Sequence, residues 1–190
     1  QLMHCDVPEW NHLDGLRIPE AAERVGMEPF EFYARLTVAS HRNARVLNHT
    51  YSGDAGDEDA LRAVLAHPLC TIETDTILTA QGHQNPASFG TFPRVLSTYV
   101  RAGLFSLEEA VRKMTGAAAE RLGWSDRGVV RRGAAADLVV FDPARLRDTA
   151  SFEAPSREPE GIEHVLVNGA LVLDAGRYDA SARAGTVLRS

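Results

Sequence analysis

The sequence predicts an α/β fold in which alternating strands and helices give way to a run of short strands. Apolar residues recur at helical spacing in several stretches before Ser125, and β-type runs dominate after it. Before that point, Cys70 to Arg101 has the pattern of a strand, a polar loop and a helix, with Asp75 at the carboxyl end of the strand. We therefore divide the chain into residues 1–125 and 126–190.

Residues 1–125 are predicted to form strands and helices in alternation. Pro19 suits a first helical turn and Gly26 a helix end, while Ser106 and Glu109 have the spacing of a capping box. The predicted elements are a short strand in QLMHCDV, helices Ile18 to Gly26 and Pro29 to His41, strand Arg45 to Tyr51, helix Glu58 to Ala66, strand Leu69 to Asp75, and helices Thr91 to Arg101, Ser106 to Met114 and Thr115 to Leu122. This order is typical of parallel βα units.

Residues 126–190 are predicted to form short strands joined by turns and one long loop. Asn168-Gly169 between two β-type runs is a strong hairpin signal. The segment Asp142 to Gly161 contains three prolines and many charges, so it is predicted to be a surface loop. The predicted strands are Arg127 to Arg131, Asp137 to Phe141, Ile162 to Val167 and Ala170 to Leu173.

The number of strands is small for a complete fold of either kind. Parallel strands need cover on both faces of the sheet, and residues 1–125 contain only two or three candidates. A closed (β/α)₈ TIM barrel takes about 250 residues, so this part corresponds at most to the last third of one. The sequence therefore indicates the carboxyl end of something larger.

Composition excludes several classes of function. The chain is 44% hydrophobic and 24% charged, which is ordinary for a globular protein. Its formal net charge of −6 argues against a nucleic-acid partner. No stretch approaches the ~20 apolar residues of a membrane span, and Gln1 to Asp14 lacks a signal-peptide pattern, so we predict a cytoplasmic protein. Two distant cysteines, Cys5 and Cys70, favour neither a disulfide framework nor a zinc knuckle.

Four motifs carry a resemblance to a known family. In chain order they are HPLCTIETD, FGTFPRVLSTYVR, SLEEAVRKMTGAAAERLGWSDRGVVRRGAAADLVVFDP and PEGIEHVLVNGALVLDAGRY. Together they resemble the carboxyl-terminal portion of N-acyl-D-amino-acid deacylases (D-aminoacylases), in the amidohydrolase superfamily, over residues 57–190 and more loosely 15–56. The resemblance implies the last part of a (β/α)₈ barrel over residues 1–125, followed by part of a small β-sandwich built from both ends of the chain.

The resemblance also implies a zinc-dependent reaction with a role for Asp75. The family's His-x-His pair, its Cys or Glu and two later histidines would precede the matched region, and this chain has no His-x-His. Only the final acidic ligand falls within it, and it matches Asp75. Zinc, as one or two ions, lowers the pKa of a bound water to about 7 and polarises the amide carbonyl. The carboxylate would act as general base and then as general acid. By composition alone, Asp75 would be a turn residue that ends a strand.

Three further residues are predicted to bind the substrate, and two positions depart from the family. The family usually has Ser-Asp-Gly where this chain has Thr74-Asp75-Thr76, so threonine replaces glycine at position 76. It usually has His-Pro-Arg where this chain has Asn85-Pro86-Ala87. His83 and Asn85 are candidates to replace the lost basic contact, unless the loop is simply solvated. Arg94 could bind a substrate carboxylate through its guanidinium fork or serve a structural role. Thr76 and Asn85 are therefore the positions at which we expect this chain's substrate preference to differ from the family's.

Three functional hypotheses remain open from the sequence. The first is hydrolysis of a small linear amide, an N-acyl-D-amino acid or related compound. The second is hydrolysis of a cyclic amide, as in dihydroorotases or hydantoinases. The third is a non-catalytic piece or degenerate homologue that needs an amino-terminal partner, because one metal ligand is offered where about three or more are needed. The family resemblance also allows for a homo-oligomer.

Overall fold

The computed structural model describes residues 1–49, 58–79 and 81–188. The chain forms two compact units, each assembled from three separate stretches. The first unit comprises Gln1–Glu58, Asp75–Ser88 and Ala150–Arg157, and the second comprises Asp59–Thr74, Phe89–Thr149 and Glu158–Ser190. The predicted mixture of helices and strands is confirmed, while the division at Ser125 stays a prediction.

The first unit contains two helices and two very short strands. The predicted helices are confirmed within a few residues, and Glu28 accepts a hydrogen bond from the Phe30 amide, 2.8 Å away, at the start of the second. In chain order the elements are β1 Leu2–His4, a 3₁₀ turn Asn11–Leu13, α1 Ile18–Arg24, α2 Pro29–Ala39 and β2 Arg45–Val46.

The strands β1 and β2 are antiparallel, which corrects the prediction of parallel βα units. Leu2 pairs with Val46 and His4 with Arg45. The physical reason is the helix pair between them: strand, helix, helix and strand are joined by three reversals of the chain, an odd number, so the second strand runs opposite to the first. The strand predicted to reach Tyr51 ends at Val46, and Tyr51 itself lies outside the described residues.

A single apolar core holds the first unit together. Phe32 of α2 is fully buried, and its ring centroid lies 5.4 Å from that of Trp10. The two helices pack against each other through this core, as predicted. Its buried members are Leu2, Cys5, Val7, Trp10, Leu13, Ala21, Ala22, Phe32 and Leu36. Cys5 is thus a core side chain, while Cys70 is half-buried.

The helices after Glu58 follow the sequence pattern with one displaced start. The helix predicted from Thr91 begins at Ala87, because the Asn85 Oδ1 atom accepts a hydrogen bond from the Ala87 amide at 3.0 Å. Pro93 lacks an amide hydrogen, and a π-helical turn begins two residues later. The elements are α3 Asp59–Ala66, α4 Ala87–Arg94, the π-helical turn Val95–Val100, α5 Leu107–Met114 and α6 Gly116–Arg121. Of the helices in the described ranges, none is long and apolar enough to cross a membrane.

The predicted strand from Leu69 to Asp75 is wrong: this stretch forms no strand in the structure. A strand needs a neighbour with which its backbone can form a ladder, and the Ile72 amide instead donates to the Lys113 carbonyl at 3.1 Å. Ile72 is buried in the second unit's helical core, together with Val95, Tyr99 and Ala110. The segment therefore has the apolar burial of a strand without strand pairing.

An antiparallel meander of four strands lies in the second unit. Its order is β3-β4-β5-β6, which confirms three of the four β runs predicted after Ser125. Asn168 and Gly169 connect two of the strands with φ angles of 47° and 82°, so the predicted hairpin is also confirmed. The strands are β3 Leu138–Phe141, β4 Ile162–Val167, β5 Ala170–Asp174 and β6 Arg177–Tyr178.

The predicted strand Arg127 to Arg131 is wrong, because this stretch folds as turns. Gly128 has a φ of 76°, which interrupts an extended backbone. It also lies close to Gly116, since a Cβ atom added to Gly128 would lie 2.9 Å from the Gly116 Cα atom. Val130 remains 88% exposed. The β-branched residues that suggested a strand therefore have neither a ladder nor a buried face.

Candidate functional site

Asp75 lies in a stretch without regular secondary structure and has a left-handed backbone. Its φ angle is 43°, in the region that aspartate and asparagine tolerate better than most residues. The polar loop that leads to α4 follows it. The Asp75 side chain is exposed. A carboxylate at such a turn is accessible to a substrate or metal ion.

The loop after Asp75 is held in shape by the side chain of Gln84. This side chain is 8% exposed, and its Oε1 atom accepts from the Thr79 amide at 3.2 Å. Its Nε2 atom donates to the carbonyls of Gln81 and Gly82, at 3.0 and 3.1 Å. Arg45 adds a bond of 2.9 Å from Nη2 to the Thr79 hydroxyl. The loop is therefore an ordered structure, with Gln84 as the residue that sequence reasoning missed.

His83 is attached to the first unit at both its backbone and its ring. Its amide donates to the Met3 carbonyl at 2.5 Å, and its Nε2 atom donates to the Phe152 carbonyl at 2.6 Å. His49 stacks on the Phe152 ring with a centroid distance of 4.0 Å, and burial lowers the pKa of this histidine. His49 also donates to the Gln1 side-chain oxygen at 2.9 Å. Both histidines are thus satisfied by neighbours in the same unit.

Gly82 allows the loop that carries His83 to lie against β1. Its φ is 72°, and an added Cβ would lie 2.3 Å from the Met3 carbonyl oxygen and 2.7 Å from the His4 Cβ atom. We expect Gly82→Ala to lower the free energy of unfolding by about 3 kcal/mol, from backbone strain and overpacking together. Chemical denaturation measures this.

Gly26 is the matched control for that substitution. It has a similar φ of 69° in the same unit, but no atom lies within 4 Å of an added Cβ. Gly26→Ala should therefore cost about 1 kcal/mol, from strain alone. Equal losses in the two variants would contradict the close approach of this loop to β1.

Asn85 and Arg94 both have structural partners. Asn85 uses its side-chain oxygen at the start of α4, as described above. In the second unit, the Arg94 Nη1 atom lies 3.9 Å from the Asp148 Oδ2 atom, and the Arg94 side chain is 54% exposed. Gly90 makes room for Asp148, since an added Cβ would lie 2.4 Å from its Oδ1 atom. Asp75, His83 and Asn85 belong to the first unit and Arg94 to the second; their roles in substrate binding stay predictions.

A second polar cluster in the first unit surrounds His4. The His4 Nε2 atom lies 2.8 Å from Asp6 Oδ1, and Nδ1 lies 3.1 Å from Asp14 Oδ2. Burial raises the pKa of the Asp14 carboxyl, against the effect of the His4 hydrogen bond. The two carboxylates bind opposite ring nitrogens, so the three side chains do not converge on one point.

The next feature is the set of side chains that could bind a metal ion. Within the ranges that the structure describes, no group of three or more His, Cys, Asp or Glu side chains could bind one. Asp75 is an exposed carboxylate and suits a single position in a larger ligand set. Among the described residues, Asp75 therefore fits one position of a metal centre whose other ligands lie elsewhere.

A shallow groove of about 280 Å³ lies beside His83 in the first unit. Its polar walls include the side chain of Arg157, which is exposed and which the sequence patterns did not single out. The lining residues are Gly82, His83, Gln84, Ala154, Pro155, Ser156 and Arg157. A histidine and an arginine on one groove suit an anionic group.

The sequence matches the model of the amidohydrolase family over residues 76–173, which is more than half of the chain. This chain therefore belongs to the amidohydrolase family. The matched range starts one residue after Asp75.

Relatives with known activities extend the comparison. The chain is 46% identical over 133 residues to the N-acyl-D-aspartate deacylase of Alcaligenes xylosoxydans xylosoxydans, covering 70% of this chain and 26% of that protein. A crystal structure of D-aminoacylase, described as defining a novel subset of amidohydrolases, matches with a TM-score of 0.81 at 35% identity. The N-acyl-D-glutamate deacylase of Bordetella bronchiseptica, solved with zinc and a phosphonate mimic of the tetrahedral intermediate, matches with a TM-score of 0.81 at 33% identity.

The match to the solved structures covers this whole chain but only part of each relative. Both structures are covered over 37% of their length, and 100% of this chain is matched. The chain thus spans about a quarter of the curated relative named above and just over a third of the solved ones. The resemblance inferred from the motifs is confirmed.

Proposed function

We propose that the protein containing this chain is a zinc-dependent amidohydrolase that hydrolyses linear N-acyl-D-amino acids, with Asp75 as the residue that transfers protons. One observation carries the proposal: an exposed aspartate with a left-handed backbone precedes the polar loop in a chain that belongs to the amidohydrolase family. The substrate class follows from the relatives, which act on acylated D-amino acids.

The proposed role of Asp75 is proton transfer at its carboxylate. Zinc, when bound, supplies an activated water and polarises the amide carbonyl. The Asp75 carboxylate accepts a proton from the attacking water and later donates it to the departing amine, because the free amine must leave protonated. Its exposure keeps it within reach of both groups. This chain supplies Asp75 as a metal ligand, and the other ligands would come from outside this chain.

For the substrate carboxylate we propose the groove beside His83. Ala87 stands where relatives of this type usually have arginine, so a positive contact must come from elsewhere. His83 lines the groove together with Arg157, whose guanidinium can bind a carboxylate with two parallel hydrogen bonds. Asn85 supports the loop from its position at the start of α4. Arg94, whose Nη1 atom lies 3.9 Å from the Asp148 Oδ2 atom, is also proposed as a substrate-binding residue.

We propose that the fold around Asp75 combines part of a barrel with part of a β-sandwich. Residues 1–125 would form the last part of a (β/α)₈ barrel, and residues 126–190 part of a β-sandwich. Support comes from Ile72, which is buried in the second unit's core within a segment that forms no strand in the described ranges, as expected for a barrel strand whose neighbours lie outside this chain. The four-stranded meander supports the sandwich portion.

The proposal is tested by a substrate panel on the whole protein loaded with zinc. We expect release of free amine from N-acetyl-D-aspartate, N-acetyl-D-glutamate and N-acetyl-D-methionine, and kcat/KM values about 100-fold lower for dihydroorotate and hydantoin. The reason is that a site built for a linear amide with a free carboxylate leaves polar groups unpaired around a ring.

Two other outcomes would support the competing hypotheses. Faster opening of the cyclic amides would contradict the linear substrate class and favour a dihydroorotase-like or hydantoinase-like enzyme. No turnover of any amide by the zinc-loaded whole protein would favour a degenerate, non-catalytic homologue. The substitutions at Thr76 and Asn85 are the reason to include both substrate classes.

A further inference from the structure

Lys113 is the only lysine of the chain, and it is buried in the second unit. Its relative exposure is 0%, and its Nζ atom donates to the carbonyl oxygens of His67, at 2.5 Å, and Cys70, at 3.2 Å. The Glu109 Oε1 atom lies 3.8 Å from the same nitrogen. A buried ammonium requires such partners, because its transfer from water is otherwise costly.

The same residue also binds this segment through its backbone. The Lys113 carbonyl accepts a hydrogen bond from the Ile72 amide at 3.1 Å. Three bonds from one residue of α5 therefore hold His67, Cys70 and Ile72, in a stretch that has no strand partner in the part of the chain that the structure describes. One helical residue thus supplies hydrogen-bond partners for three backbone groups of this segment.

A lysine is not needed for packing alone at this place. Methionine has a similar length and no desolvation cost, so a purely apolar contact would not favour an ammonium. The ammonium adds directional hydrogen bonds, which fix the positions of two carbonyl oxygens relative to α5. Asp75 follows Ile72 by three residues in the sequence.

We propose that Lys113 is a positioning residue for Asp75: it clamps the segment that leads into the proton-transferring carboxylate. The inference rests on the proposed function for its effect on catalysis and on the observed hydrogen bonds for the clamp itself. A misplacement of about 1 Å in a reacting group can cost about 100-fold in rate, so loosening this segment should affect turnover more than substrate binding.

The test uses the whole protein with Lys113→Met, Lys113→Arg and a control, Arg101→Met. Arg101 forms a comparable clamp in the same unit, where its Nη2 atom donates to the carbonyls of Pro143, Ala144 and Leu146 at 2.8, 3.1 and 2.8 Å. These three carbonyls belong to none of the residues that Lys113 holds. Steady-state kinetics on N-acetyl-D-glutamate and hydrogen exchange of peptides covering residues 67–75 are measured for each variant.

We expect Lys113→Met to lower kcat by about 10- to 100-fold with KM changed less than about 3-fold, because ground-state binding is retained. Lys113→Arg should recover part of kcat, since its fork can reach carbonyl oxygens. Exchange across residues 67–75 should be about 10-fold faster in Lys113→Met and unchanged in Arg101→Met.

Two results would overturn the proposal. One is unchanged exchange across residues 67–75 in Lys113→Met, whatever its activity. The other is an equal loss of kcat in Lys113→Met and Arg101→Met, which would show a general loss of folded protein. If Lys113→Met does not fold, Lys113→Gln decides, because its shorter, neutral side chain cannot reach both carbonyl oxygens; wild-type kcat with wild-type exchange across residues 67–75 in that variant contradicts the clamp. A wild-type protein without amidase activity contradicts the proposed function, and exchange then decides the clamp by itself.

Discussion

Replacing Asp75 by asparagine should lower kcat for amide hydrolysis by about 10²- to 10⁴-fold, the usual contribution of a positioned general acid and base. The amide cannot accept the proton of the attacking water or protonate the leaving amine. Asparagine tolerates the left-handed backbone of this position, φ 43°, as well as aspartate does, so the local fold should persist. The measurement is the turnover number of the zinc-loaded whole protein on N-acetyl-D-glutamate.

Glu73→Gln provides the matched control for this experiment. Glu73 is an exposed carboxylate two residues earlier in the same segment. Its removal changes the net charge equally but takes away no group in the proposed reaction, so kcat should stay within about 2-fold of wild type. Full turnover in Asp75→Asn would show that another residue transfers the proton.

The largest stability effect is expected for Phe32→Ala, which should lower the free energy of unfolding by about 3 to 5 kcal/mol. Phe32 has 0% exposure in the core of the first unit, where its ring packs at a centroid distance of 5.4 Å from Trp10. Truncation removes the buried ring and leaves a cavity between α2 and the segment that carries Trp10. Chemical denaturation followed by tryptophan fluorescence measures the change.

Phe30 makes the comparison specific, since it lies on the same helix and is 78% exposed. Phe30→Ala should change the free energy of unfolding by less than about 0.5 kcal/mol. Similar losses for the two variants would mean that the helix does not present Phe32 to the core as described.

Sequence patterns predicted the helices well because their signals are local. Proline at a first turn, a serine three residues before the amide that donates to its hydroxyl and apolar residues at helical spacing all act within one or two turns. The Ser106 hydroxyl accepts from the Glu109 amide at 3.1 Å, as the spacing predicts. The Asn168-Gly169 turn was predictable for the same reason, since both residues have the positive φ that the hairpin requires.

Strand predictions failed where pairing depends on distant residues. The apolar, β-branched stretch Leu69 to Asp75 satisfies every local preference for a strand, but a strand exists only with a neighbour. The Arg127 to Arg131 run failed because Gly128 turns the backbone. Antiparallel pairing of β1 and β2 could not be predicted from either strand, since it depends on the number of helices between them.

The candidate site was predicted at Asp75 only through the family resemblance. One acidic residue at the end of an apolar run has no distinctive spacing. Gln84 and Lys113 were missed because a glutamine in a polar loop and a lysine on a charged helix are typical surface residues. Their roles follow from burial and from the carbonyl groups they hold, which no sequence period reveals.

The most direct test of the central proposal is the release of amino acid from racemic N-acetylglutamate by the zinc-loaded whole protein, followed by chiral chromatography. We predict that D-glutamate appears, that L-glutamate does not, and that a chelator stops the reaction. Release of L-glutamate at an equal rate, or hydrolysis that persists at full rate after zinc is removed and shown by metal analysis to be absent, would contradict it.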